Sequence, residues 1–300
     1  MNSIRPVLKS LIQSARVPFL AAAVTAYALG IAIASYLAVP VDWPRFWWGL
    51  LFVFSMHLFT RWIEAGFLPS SLNPSSLADT PANNLKTAKT SRTFLFAAFF
   101  SLAMMGTSLS GFLLNGTLPA VSWLLLSILI LSTILYTVPP YLIQTAGIDE
   151  IWSAFLICAL VPAFSYSLMA EELHRLIPMS TTALAAFFFA SLIVSQLRTY
   201  AKDTAAERKT LATRLGWRKI MFLHDAALEF GVFSLALAYI FGYPSRISLS
   251  LLIVLPLILI QMIQMNRIRQ GAPPGFRAMQ ATASAIFSLT LYFQFIGFLH

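Results

Sequence analysis

Residues 196–219, QLRTYAKDTAAERKTLATRLGWRK, hold seven of the chain's twenty Lys and Arg (Arg198, Lys202, Arg208, Lys209, Arg214, Arg218 and Lys219) and two of its eleven acids. Cations at this density suit anchoring of a loop on the cytoplasmic membrane face and equally a grip on anionic oxygens, with guanidinium able to bind them in bidentate fashion; their number alone does not separate the two. Asp203 and Glu207 stand four residues apart, a spacing that aims two carboxylates at one metal site if a helix runs through both. The alternative is a solvated Glu207 beside Arg208. Further ionisable groups sit inside apolar runs: His57, Arg61 and Glu64 in one, His224, Asp225 and Glu229 in another. Such groups cost at least about 2.5–3.5 kcal/mol in hydrocarbon, so they are expected to face a cavity or to pair. Arg61 reads either as interhelical glue, paired to Asp225 or Glu64, or as a fixed positive charge for a phosphate or carboxylate headgroup. Asp225 and Glu229, at i and i+4, offer a displaced metal site or the proton relay of a transporter. The two histidines read as satisfied bundle residues rather than ligands. Cys158 stands alone and supports neither a disulfide framework nor a metal cage.

These groups need a scaffold, and composition names its class. The 300-residue chain is 58% hydrophobic and 10% charged, with a mean hydropathy of +0.77. A soluble globule carries about 25% charged residues, so this is a polytopic membrane protein. Apolar runs long enough to cross a core of about 30 Å fall at roughly 17–39, 44–67, 92–115, 118–138, 148–170, 178–198, 217–242, 246–266 and 277–299. The expected fold is an all-α, single-domain bundle of nine transmembrane helices over residues 1–300. Its accessory parts are a basic N-terminal segment, 1–16, and a charged loop, 199–216. Ile4, Val7, Leu8, Leu11 and Ile12 place an apolar stripe on that segment, which reads as an interfacial helix or as a frayed basic tail. The first apolar run exceeds the usual length of a cleaved signal's core and is read as a span.

Positive charge orients the bundle. With the N-terminus inside, seventeen Lys and Arg fall on the cytoplasmic side, and only Arg45, Arg175 and Arg246 fall outside. Excess cytoplasmic Lys and Arg is the rule for membrane proteins, so the expected topology is N-inside and C-outside, in an inner membrane of the bacterial type. The net charge of +9 then reports topology and attraction to anionic lipid. No stacking-rich basic groove points to nucleic acid.

Four stretches carry a resemblance. "RTYAKDTAAERKTLATRLG" (Arg198 to Gly216) resembles the second Asp-rich motif of the UbiA superfamily of intramembrane prenyltransferases. There an R-D-x-x-x-D helix end leads to K-R-T-L-A-x-R-L-G. "YTVPPYLIQTAGIDEIW" (Tyr136 to Trp152) is similar to the family's Y-[ST]-x-P-P-x-x-L-[KR]-x-x-G-x-G-E, most like the branch acting on dihydroxynaphthoate. "ARVPFLAAAVTAYALGIAIA" resembles the opening R-P-x-[FT]…G, and "DTPANNLKTAKTSRT" (Asp79 to Thr93) resembles the loop leading into the third helix. The resemblance implies transfer of a prenyl chain from a prenyl diphosphate to an aromatic acceptor. Mg²⁺ held by two facing Asp-rich helix ends would neutralise the leaving group. Arg198, Lys202, Arg208 and Lys209 would bind phosphate, and Asp203 with Glu207 would hold metal.

The departures cluster in that machinery. Thr199 occupies the first Asp position of the second motif. In "HLFTRWIEAGFLP", His57 and Thr60 match the family's second helix, but Arg61, Glu64, Ala65 and Leu68 stand where Asn, Asn, Asp and Asp belong. Gln144 and Ala146 replace basic positions, and Asp149 replaces a Gly. Metal-dependent ionisation of diphosphate is therefore expected to be impaired, absent or rebuilt, with Arg61 standing in for Mg²⁺ in the last case. The expected function is isoprenoid binding, as prenyl diphosphate or prenyl lipid. If the protein is active, with Mg²⁺ as cofactor, it transfers the prenyl group to a small aromatic or lipid acceptor. The alternative is a catalytically inactive homologue that binds an isoprenoid or a partner membrane enzyme as a scaffold. A transporter is the third reading, and the lack of an inverted repeat with paired broken helices counts against it.

The orientation is directly testable. On a Cys158→Ala background, single cysteines within 68–91, 199–216 and 267–276 should react with a membrane-impermeant maleimide only after the cells are opened, and one at His300 should react in intact cells. Labelling of Ala205→Cys from outside intact cells would contradict this topology.

Overall fold

The structure, a computed structural model, describes residues 10–12, 14–67, 81–116, 118–137 and 147–300. Among the described residues nine long helical segments follow one another: α1 (Val17–Tyr36), α2 (Trp43–Phe67), α3 (Pro81–Leu114), α4 (Ala120–Thr137), α5 (Asp149–Met169), α6 (Leu176–Ala205), α7 (Trp217–Ile240), α8 (Ser245–Arg269) and α9 (Phe276–Leu299). Eight of them are long and apolar enough to cross a membrane. The remaining one, α2, has the length, but four tryptophans, Arg45, Arg61 and Glu64 make it more polar.

The all-α bundle and its nine segments agree with the expectation, and the ends differ in instructive ways. α3 begins at Pro81, well before the expected 92, because Pro is pre-organised for a first helical turn. α6 was expected to stop at 198 and runs to Ala205, so Arg198, Lys202 and Asp203 are helical and the charged loop begins later. Most of the N-terminal segment 1–16, the stretch 68–80 and residues 138–146, with Gln144 and Ala146, lie outside the described residues.

Helices in lipid associate through close packing and interhelical hydrogen bonds, since apolar burial no longer distinguishes a neighbour from a lipid tail. Both are present. Tyr27 Oη donates to the Phe46 carbonyl (2.8 Å), joining α1 to α2, and Ser122 Oγ donates to the Ser167 carbonyl (2.6 Å), joining α4 to α5. Gln294 Nε2 donates to the Ser180 carbonyl (3.1 Å), joining α9 to α6. α2 lies along α3 and α7 along α6, while α9 packs on both α6 and α1 and so closes the bundle. The outer surface carries exposed Phe96, Phe99 and Phe100 on α3 and Phe222, Phe230 and Phe233 on α7, as lipid contact requires.

The tightest contact is between α1 and α5. Pro162 lacks the N–H that would bond to the Cys158 carbonyl, and its ring crowds that carbonyl. A π-helical turn, Leu156–Leu160, absorbs the mismatch. Gly30 then sits against Pro162 and Ser165 so closely that a Cβ would overlap both the Pro162 carbonyl and Ser165 Oγ. Gly106, in α3, has nothing near its missing Cβ. Gly30→Ala should therefore destabilise the protein by about 1–3 kcal/mol, whereas Gly106→Ala should stabilise it by up to about 1 kcal/mol through helix propensity. Unfolding in detergent micelles measures both, and equal effects of like sign would refute the packing assignment.

Candidate functional site

Five helices bring polar ends to one place: the start of α1, the ends of α2, α4 and α6, and the start of α5. They surround a cavity of about 370 Å³. One wall holds Arg16, Arg61 and Glu64. The opposite wall holds Asp149, Glu150 and Ser153 from α5, and α6 with its following loop adds Gln196, Arg198, Thr199, Asp203, Arg208 and Thr210.

Arg61 is the buried centre of the cationic wall, only 5% exposed. Its Nη1 lies 3.1 Å from Glu64 Oε2, one helical turn on, and Glu64 Oε1 lies 3.9 Å from Arg16 Nη2. One carboxylate thus serves two guanidiniums. The aromatic shell is equally close: the Arg61 Cζ sits 5.3 Å from the Phe19 ring centre and 6.0 Å from that of Tyr136, within cation–π range. Arg16 lies 5.8 Å from the same Phe19 ring, and the Arg61 charge beside it pulls its pKa below the ordinary guanidinium value.

The α6 side is held by backbone as much as by side chains. Thr199 Oγ1 donates to Asp203 Oδ2 (2.6 Å), one turn apart, and Arg208 Nη1 lies 4.0 Å from Asp203 Oδ1. The loop folds back because the Arg208 N–H donates to the Asp203 carbonyl (2.8 Å), with Glu207 at φ 51° making the reversal. Thr210 and Thr213 then form a capping box on the one-turn helix Leu211–Leu215, and Gln196 Oε1 accepts the Ala212 N–H (2.9 Å). Gln196 is thereby fixed, and its amide nitrogen is buried without a partner.

Among the described residues six buried side-chain polar atoms lack hydrogen-bond partners, and three of them are Arg61 Nε, Gln196 Nε2 and Glu150 Oε2. All three belong to residues that line this cavity. An orphaned buried donor or acceptor costs about 1–3 kcal/mol, and two donors plus an acceptor sharing a concave site describe a place shaped for a polar ligand. A smaller, mostly apolar pocket of about 40 Å³ adjoins it through Arg61, Tyr136 and Ser153, continuing past Met56, Leu156 and Ile157.

Of the sequence candidates, Arg61, Glu64, Arg198, Asp203 and Arg208 meet here. Lys202, Glu207 and Lys209 are exposed beyond the lining. The Asp203/Glu207 pair does not form, since α6 ends at Ala205, between them. His57 Nε2–H donates to the Ala15 carbonyl (3.0 Å), tying α2 to the segment just before α1. The expected alternative of an Arg61–Asp225 pair gives way to Arg61–Glu64. Asp225 instead pairs with Arg269, which α8 carries because it runs past the expected end at 266. His224 Nδ1 lies 2.9 Å from Asp225 Oδ1, and Gln261, bonded to Thr282, lies 3.4 Å from His224 Nε2, so these residues clamp α7, α8 and α9 away from the cavity. Glu229, expected in the cavity, points outward and is exposed. Sequence reasoning had not singled out Arg16, Tyr136, Glu150, Ser153, Gln196 or Thr210. The available signal was that Arg16, Tyr136 and Glu150 stand within the quoted motifs that carry the family resemblance.

Mg²⁺ prefers one or two carboxylates together with phosphate oxygens and water. The family arrangement of two facing carboxylate-rich helix ends is not available to these residues. α2 supplies only Glu64, already shared by two guanidiniums, and α6 supplies Asp203 alone, bonded to Thr199. Among the described residues no three His, Cys, Asp or Glu side chains gather as a metal cage.

A sequence model of the UbiA prenyltransferase family matches residues 78–288. No curated protein matches the chain in sequence. Among solved structures, one described as digeranylgeranylglyceryl phosphate synthase in membranes aligns with a TM-score of 0.63 at 15% identity, over 98% of this chain and 99% of that one. A UbiA homologue from Archaeoglobus fulgidus, bound to GPP and Mg²⁺, aligns with a TM-score of 0.61 at 14% identity, over 96% of this chain and 99% of that one. At such identities the structural likeness speaks for the fold, and the family match over most of the sequence speaks for descent: the chain is an integral membrane protein that belongs to the UbiA prenyltransferase family.

Proposed function

We propose that the cavity binds the anionic headgroup of an isoprenoid, a prenyl diphosphate or prenyl lipid, through guanidiniums rather than through carboxylate-held metal. The observation that carries this reading is the set of guanidiniums lining the cavity, together with the unpartnered buried donors that two of the lining residues, Arg61 and Gln196, carry. Arg61 Nε and Gln196 Nε2 are donors awaiting acceptors, and Arg16, Arg198 and Arg208 stand around them. Phosphate oxygens meet that requirement, and a fork-shaped guanidinium locked between two rings is a pre-organised partner for them. The hydrocarbon chain leaves through the apolar pocket beside Met56 and Ile157. Glu150 Oε2, on the facing wall, takes a ligand hydroxyl.

This chemistry favours holding diphosphate over expelling it. Guanidiniums hold the headgroup oxygens in the ground state, and they place less positive charge on the departing diphosphate than carboxylate-held Mg²⁺ would. The protein therefore acts as a single-domain isoprenoid-binding member of its family, its charged mouth facing the cytoplasm, with the scaffold role following from it. Prenyl transfer to an aromatic or lipid acceptor is the second reading. Asp149, Glu150 and Asp203 on one side of the cavity favour it, because a bound diphosphate would add the oxygen ligands that these acids need to hold Mg²⁺.

Purified protein with a labelled prenyl diphosphate separates the two. Binding should be unchanged by EDTA and should weaken with added salt. Arg61→Lys, which keeps the charge but loses the fork, should weaken it about tenfold, or about 1.4 kcal/mol. Asp203→Ala should leave binding intact. With Mg²⁺ and a panel of aromatic acceptors, EDTA-sensitive release of diphosphate that requires Asp203 would overturn the proposal and establish the enzyme reading.

A further inference from the structure

Glu229 is the one acid that the described structure leaves in the middle of a spanning helix with no partner. It lies halfway along the 24-residue α7, roughly 17 Å from either end at 1.5 Å per residue, which is the depth of the bilayer centre. It is exposed on the outside of the bundle. Among the described residues nothing forms an ion pair or hydrogen bond with its carboxylate. Phe222, Phe233 and Ile240 share its face of the helix and are exposed with it. An ionisable side chain in that position is costly and normally faces a cavity or a partner. Here there is no cavity behind it, because His224, Asp225 and Leu228 turn inward while Glu229 turns out.

We propose that the outward face of α7 around Glu229 is an interaction surface for a spanning helix of a different membrane protein, one that carries a Lys or Arg at mid-bilayer. Charge complementarity sets the chemistry of the occupant: in hydrocarbon a carboxylate needs a cation, and the partner helix supplies it. A second copy of this chain does not, since its described Lys and Arg all stand outside the apolar spans or toward their ends, and two such faces would oppose carboxylate to carboxylate. Shape agrees with the assignment. Beside this face, between α5, α6 and α7, runs an apolar groove of about 610 Å³ lined by Phe155, Ala185, Leu223, Ala226 and Phe230, open to the lipid side and able to take large side chains of a neighbouring helix. The surface is separate from the headgroup cavity, with which it shares no lining residue.

The test uses the full chain in lipid vesicles with fluorescent poly-leucine helical peptides, one with a single central Lys and one without, followed by energy transfer. The Lys peptide should associate with the protein at least about tenfold more tightly than the plain one. Glu229→Leu, which removes no bond within the chain and should unfold as the parent does, should abolish the preference. In native membranes, a photo-crosslinking residue at Phe233 should capture a protein that mass spectrometry identifies as having a Lys or Arg in the middle of a span, and Glu229→Leu should lose that adduct. The proposal is overturned if the Lys peptide gains nothing, or if its preference survives Glu229→Leu. It is equally overturned if the adduct is a second copy, lipid alone, or a protein without such a cation.

Discussion

The buried Arg61 guanidinium is the constraint around which the charged end of the bundle is built. A cation in this setting has to be compensated, and three helices take part. Glu64 answers it from its own helix, Phe19 of α1 offers one ring and Tyr136 of α4 another. Compensation is incomplete, because Glu64 is also shared with Arg16 and Arg61 Nε is left without an acceptor. In this cluster two guanidiniums share one carboxylate, and positive charge held against aromatic rings is a partner for an anion. The same arrangement removes Glu64 from service as a metal ligand, since its carboxylate is already shared by two guanidiniums.

How much of this was legible in the sequence depends on the length scale of each signal. The spans were legible because twenty-residue apolar runs have no other economical explanation, and the described helices fall within a few residues of most of them. The start of α3 was not, since polar Asn, Lys and Thr residues after Pro81 carry helix signals too weak to compete with their loop-like composition. The end of α6 was missed for the same reason, and with it the fact that Ala205 stops the helix between Asp203 and Glu207. Of the site, charged residues out of place in an apolar run were visible, hence Arg61 and Glu64. Gln196, Tyr136 and Ser153 were not, because an uncharged polar residue at a helix end is common and only three-dimensional convergence singles it out. The partner of Asp225 was misread because Arg269 seemed to lie in a loop, whereas three further residues of helix place it against α7.

Descent and local chemistry therefore point in different directions, and both are physical findings. The family match spans most of the chain and the fold follows solved UbiA-type structures over nearly its whole length. Yet the two helix ends that would face each other with carboxylates present guanidiniums, a Glu64 already paired to two of them, and a Thr-bound Asp203. Away from that mouth the bundle keeps a second ionic cluster, His224, Asp225 and Arg269 with Gln261, whose bonds join the last three helices. Ionic groups in this protein are thus divided between closure of the bundle, the cavity, and the outer face of α7.

The claim that guanidiniums have taken over the headgroup site is tested most directly by an experimental structure of the protein with a non-hydrolysable prenyl thiodiphosphate in the presence of Mn²⁺, whose anomalous scattering marks any bound metal. The account predicts the diphosphate seated against Arg61 and Gln196 with no metal peak between it and the protein. A Mn²⁺ peak coordinated by Asp203, with the diphosphate bound through it, would contradict the account.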